Sequence, residues 1–109
     1  MNLLKKKESL GFFLLLITFY IYFQIKSVYG GDSGELLSAA SVWGISHPPG
    51  YPLYTFLAAI LFHFLNFSTP SFRIALLSSF SAALTILFLY KTLSLIFNKP
   101  ISIICSLFL

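Results

Sequence analysis

Long apolar runs, broken by a few polar clusters, organise the chain. Residues 9–25 carry no charge and are apolar almost throughout. At about 1.5 Å per helical residue, the sixteen residues 10–25 reach about 24 Å, the short end of a bilayer core. Extended to 28, with Lys26 snorkelling outward, it predicts a first membrane span over about 10–28. A second charge-free run covers 36–72, but Gly44 and His47-Pro48-Pro49-Gly50 interrupt it. The part after the break predicts a second span over 51–67, with Pro52 tolerated in its first turn. Asn66-Phe67-Ser68-Thr69-Pro70-Ser71 reads as a turn. A third span then runs over 72–97, reaching 97 when Lys91 is held at the interface, and Asn98-Lys99-Pro100 closes it. Residues 101–109 open a fourth apolar run, too short to cross as a helix.

Composition narrows the class. Of 109 residues, 58% are hydrophobic and 9% charged, with 13 Phe and 6 Tyr. A soluble domain carries about 25% charged residues, and a small one buries only about 60–70% of its unfolded surface. These values exclude a soluble enzyme, a nucleic-acid-binding domain and a disordered chain, and leave an integral membrane protein whose first partner is the lipid bilayer. The expected fold is all-α, with polytopic transmembrane helices. The net charge of +4 comes largely from Lys5, Lys6 and Lys7, and the remaining cations form no phosphate-tracking stripe. A Lys-rich start also describes a secretory signal peptide, although Ser27-Val28-Tyr29-Gly30 is a poor cleavage site. Lys5–7 place the N-terminus in the cytoplasm, the loop 29–50 outside, Arg73 inside and Lys99 outside. Asn66-Phe67-Ser68 matches a glycosylation acceptor, but this topology puts it on the wrong side. One cysteine, Cys105, allows no internal disulfide.

Chemistry concentrates in the loop 29–50. After Glu8 the only acids are Asp32 and Glu35, three apart in Gly30-Gly31-Asp32-Ser33-Gly34-Glu35. Asp-x-x-Glu is a capping box, so Asp32 is expected to cap an amphipathic interfacial helix over 36–43, ended by Gly44. A catalytic carboxylate is compatible with that role. In His47-Pro48-Pro49-Gly50-Tyr51-Pro52, residues before proline are driven from the α region, giving a stiff extended return toward the membrane. His47 then either bonds backbone or faces the pocket of Asp32. A metal site of Asp32, Glu35 and His47 lacks a ligand-spacing signature, so no metal is assigned.

The stretch GGDSGELLSAASVWGISHPPGYPLYTFLA, followed by FRIALLSSFSAALTILFLY, resembles the transmembrane protein 260-type, protein O-mannosyltransferase-like family of multi-pass membrane proteins. That family was first catalogued as a domain of unknown function. The likeness covers about residues 30–90, with GDSGE at 31–35 and HPPGYP at 47–52 in the family's spacing.

The resemblance implies that residues 1–109 are the N-terminal part of a GT-C-type glycosyltransferase membrane domain. Such enzymes move a sugar, here with mannose in view, from a polyprenyl-phosphate donor to a protein or glycan hydroxyl on the extracytoplasmic side. No bound cofactor is implied, and a divalent-metal requirement stays open. The family's catalytic carboxylate lies in the first outer loop, where this sequence has Asp32. Glu35 would orient the acceptor or Asp32, and His47 would contact the donor phosphate. Tyr51 reads either as part of an aromatic belt with Tyr54 or as lining the outer cavity. The membrane would be the plasma membrane of a bacterium or the endoplasmic reticulum of a eukaryote. The alternative is a small non-catalytic membrane subunit or a truncated gene product. Elsewhere, Ala75, Ser79 and Ala83 form a close-packing stripe, Arg73 reads as an interfacial anchor, and His63 as an interfacial or interhelical hydrogen-bonding group.

Overall fold

The computed structural model describes residues 3–108, with side chains from Lys7 onward. The side chains of Lys5 and Lys6, on which the orientation rests, and Leu109 of the fourth run lie outside it. Among the described residues the regular structure is entirely helical: α1 (Leu3–Phe23), α2 (Ser33–Ser41), α3 (Pro52–Phe64), α4 (Pro70–Leu93) and α5 (Lys99–Leu107). By length and composition one of them, α4, is long and apolar enough to cross a membrane. The chain divides into two compact units, and α4 contributes its first turns to one and the rest to the other.

The first unit comprises residues up to Tyr22 and those from Ser79 on. Leu16 of α1 is buried with Ala83 and Ile86 of α4, and Phe12, Phe13, Ile17 and Tyr20 pack around them. Ala83, one residue of the small stripe, is fully buried in this cluster. The rings of Phe12 and Tyr90 meet at 5.1 Å, and Lys99 Nζ donates to Glu8 Oε2 at 2.6 Å. Residues 8, 12 and 16 thus meet 99, 90 and 83, and α1 runs antiparallel to α4. Asn98, read as the close of a span, caps the next helix: its side chain accepts from Ile101 N, and Pro100 sits in the first turn.

The second unit, residues 23–78, holds α2, α3 and the start of α4. Ala40, Ala58, Ala59 and Ile74 form its core, with Leu37, Tyr54 and Phe62 packed against them. Helix bounds here follow polar ties. Gln24 follows α1, and its Nε2 donates to Phe72 O at 2.6 Å. Thr69 Oγ1 donates to Lys26 O and accepts from Phe72 N, so one hydroxyl opens α4 ahead of Pro70 and fastens the chain leaving α1. The first helix therefore ends at Phe23 where 28 was expected, and α4 covers Pro70–Leu93 where 72–97 was expected.

Arg73 ends α3. Its Nη1 donates to Phe62 O at 2.9 Å and to Leu65 O, and its guanidinium lies over the Phe62 ring. A cation on the last carbonyls of a helix meets the negative end of the dipole and satisfies orphan acceptors. Leu65 is then extended. This leaves α3 with 13 residues, about 20 Å long, where a span over 51–67 was expected. Replacing Arg73 with methionine keeps much of the packing and strands these carbonyls. We expect a loss of about 1.5–3 kcal/mol, read as unfolding at lower denaturant in mixed micelles.

Candidate functional site in the loop between α1 and α3

The loop is folded by its own short contacts. Ser33 Oγ donates to Tyr29 O and accepts from Tyr29 N, closing a tight turn in which Gly31 takes φ +76°. Asp32 is at the N-cap of α2, but it has helical dihedrals and its side chain makes no capping bond. Glu35, at the third helical position, does not return to the Asp32 amide. The expected capping box is therefore not formed, because the Glu35 carboxylate is engaged twelve residues further on.

That engagement defines the site. Glu35 Oε1 accepts from His47 N at 2.5 Å, and Glu35 Oε2 is 2.8 Å from His47 Nδ1. An ionised carboxylate only accepts, so Nδ1 carries the proton of this bond. The opposite ring nitrogen, Nε2, lies 3.9 Å from Asp32 Oδ2. One imidazole is thus held at one nitrogen and turned toward a second carboxylate at the other. Asp32 is 63% exposed, while both Glu35 oxygens are occupied by His47. The Tyr51 ring stands edge-on to His47 at 6.0 Å. The four singled-out residues are brought together, although Glu35 grips His47 rather than facing an acceptor.

The HPPG segment makes this possible by turning, not by extending. Gly50 N donates to His47 O at 2.7 Å, with a cis peptide between Pro48 and Pro49. Gly50 has φ +83°, and a Cβ there would come within 3.0 Å of Ile45 Cγ2. Tyr51 follows with φ 41° and opens α3.

Two features were not read from the sequence. The left-handed residue closing α2 is Trp43 (φ 54°), and Gly44 is the next one along, its N–H reaching back to Ala39 O at 2.7 Å. This is the six-to-one bond of a Schellman ending, shifted by one residue from the expectation. The shift aims the Trp43 indole at His63, on which it stacks at 5.3 Å and 3°. His63 is thus a stacking partner of an aromatic ring. The second feature is Ser46, buried, with Oγ 3.3 Å from His47 Nδ1; a lone serine carries no sequence signal for such a contact.

A cavity of about 240 Å³ is lined by Ser33 together with Val28, Leu36, Leu37, Tyr54 and Ile74. A smaller one of about 150 Å³ adjoins Trp43, Ile45 and Phe56. Among the described residues, no three His, Cys, Asp or Glu side chains are arranged to share a metal ion.

The bonds from His47, first its amide and then its imidazole, hold the Glu35 carboxyl below its ordinary range. A depressed folded-state value means a contribution present above the ordinary carboxylate range and lost as pH falls through the lowered value. Exchange of the His47 amide should therefore be slow at neutral pH and accelerate on acidification below about pH 4 beyond its intrinsic trend. In Glu35→Gln the amide should exchange fast throughout, with no such acid step. A step that persists in that variant would assign it to another group.

A family model described as "Protein O-mannosyl-transferase TMEM260 N-terminal domain" matches residues 32–104, a stretch that contains Asp32, Glu35, His47 and Tyr51. The chain is 40% identical over 103 residues to Protein O-mannosyl-transferase tmem260 of Dictyostelium discoideum, covering 90% of this chain and 13% of that protein. It is 42% identical over 67 residues to Protein O-mannosyl-transferase TMEM260 of Mus musculus, covering 62% of this chain and 10% of that protein. The chain thus spans a small fraction of the length of these relatives. No solved structure matches it.

Proposed function

Because this chain belongs to the family of the Protein O-mannosyl-transferase TMEM260 N-terminal domain, we propose that it forms the outer-loop part of a membrane glycosyltransferase with Asp32 as general base. The observation that carries this reading is the exposed Asp32 carboxylate beside an imidazole that Glu35 has fixed in place. In the proposed step, an acceptor hydroxyl of a protein gives its proton to Asp32. Its oxygen attacks the anomeric carbon of mannose, and the bond from that carbon to the donor phosphate oxygen breaks. The leaving group is a polyprenyl phosphate.

His47 is suited to the phosphate side of this reaction. With Nδ1 bound to Glu35, only Nε2 is presented outward, where a protonated ring would donate to a phosphate oxygen. The apolar cavity lined by Ser33, the residue after Asp32, would accept a first stretch of the isoprenoid chain. Tyr51 would border the same outer space, and no resident cofactor is assigned. The reading places the loop on the extracytoplasmic face, which is the lumen of the endoplasmic reticulum in a eukaryote. The names of the relatives weigh against a non-catalytic subunit.

The test is mannosyl transfer from a polyprenyl-phosphate donor by the full-length protein. Loss of a general base typically costs about 10²–10⁴ in rate, so Asp32→Asn should lower kcat by that order while leaving donor binding in place. Undiminished turnover in this variant overturns the role of Asp32.

A further inference from the structure

We infer that Ser46 is a positioning residue: its buried hydroxyl is a third donor to the Glu35 carboxylate, and it fixes the rotation of that carboxylate and so of the His47 ring. For catalysis the inference rests on the reading of Asp32 as base with His47 beside it. It starts from a contrast in burial. Ser46 is 6% exposed. The side chains of Asp32, Glu35 and His47 are 63%, 46% and 40% exposed. Water reaches these three groups and competes for their bonds, whereas the serine is closed to it.

Counting protons assigns the serine its partner. Ser46 Oγ lies 3.3 Å from His47 Nδ1. Nδ1 is also 2.8 Å from Glu35 Oε2 and gives its one proton to that oxygen. A ring nitrogen that carries its proton has no lone pair to accept with, so the hydroxyl cannot donate to it. The hydroxyl proton needs another acceptor, because a buried polar group left unpaired is costly. Glu35 is the acceptor at hand. A carboxylate has about four lone-pair sites, and His47 uses one on each oxygen. The ionisation of Glu35 agrees. The His47 amide, then its imidazole, are the larger causes of its lowered value, and the Ser46 hydroxyl adds to them.

The third bond changes what the contact can hold. Both other donors belong to one half-exposed residue, and the carboxylate could swing with it. A donor from the buried neighbour ties the pair to the interior of the unit. The rotation of the Glu35 carboxylate then sets the direction of Nδ1–H, and with it the direction of Nε2, which lies 3.9 Å from Asp32 Oδ2.

Two measurements on the full-length protein test this. They use Ser46→Ala and also Ser46→Cys, which keeps the side chain in place but donates weakly. The first is the titration of the Glu35 carboxyl, followed by its ¹³C shift in labelled protein in micelles, and it needs no turnover. Both variants should titrate at higher pH than the wild type, toward the ordinary carboxylate range, because a bond to the ionised form is gone. A midpoint unmoved in both overturns the inference. A shift confined to Ser46→Ala belongs to lost volume and overturns it as well. The second is mannosyl transfer from a polyprenyl-phosphate donor. By the usual net worth of one hydrogen bond, kcat should fall about two- to tenfold in both variants. Unchanged turnover in both overturns the positioning role. Full turnover in Asp32→Asn, with the Glu35 midpoint still moved by Ser46→Ala and Ser46→Cys, removes the catalytic reading and leaves the hold of Ser46 on Glu35 standing.

Discussion

The Glu35 carboxylate is the contact on which the loop depends. It binds His47 twice, at the backbone N–H and at Nδ1, and so joins the first turn of α2 to the turn that precedes α3. Two charge-assisted bonds from one side chain fix both the position of the backbone and the rotation of the ring. The apolar contacts of α2 with α3 do not reach the site itself, where Asp32, His47 and Tyr51 are all substantially exposed. The same contact decides which nitrogen faces Asp32. Geometry and proton placement are therefore set together.

Around that contact, polar groups mark where apolar helices stop. Arg73 takes the last carbonyls of α3, Thr69 opens α4 and fastens Lys26, and Gln24 reaches Phe72. The last two join segments more than forty residues apart that look alike in composition. In a chain this apolar, burial alone distinguishes poorly between alternative pairings. The few hydrogen-bonding side chains then specify which ends meet.

Much of the fold was legible in the sequence. The charge-free runs, and their interruption at Gly44 and His47-Pro48-Pro49-Gly50, marked where helices form and break, and the all-helical class followed. The boundaries were not legible, because they are set by side chains outside the helices they end. Phe23 ends α1 for a reason that lies at Thr69 and Phe72, and Phe64 ends α3 for a reason that lies at Arg73. The Asp32-x-x-Glu35 spacing fits a capping box, and local periodicity cannot show that Glu35 has a better partner at His47. Trp43 in a left-handed conformation was hidden for a similar reason, since Gly44 beside it was the obvious residue for that place. Residue type did point to Asp32, Glu35, His47 and Tyr51 as a group, and the loop does bring them together.

Glu35 holds His47 by Nδ1 and so leaves Nε2 turned toward Asp32. The ¹⁵N shifts of the neutral His47 imidazole, in labelled protein in micelles, report the tautomer directly. A protonated Nδ1 with an unprotonated Nε2 is the expected result. An imidazole protonated at Nε2, with Nδ1 bare, would contradict the account.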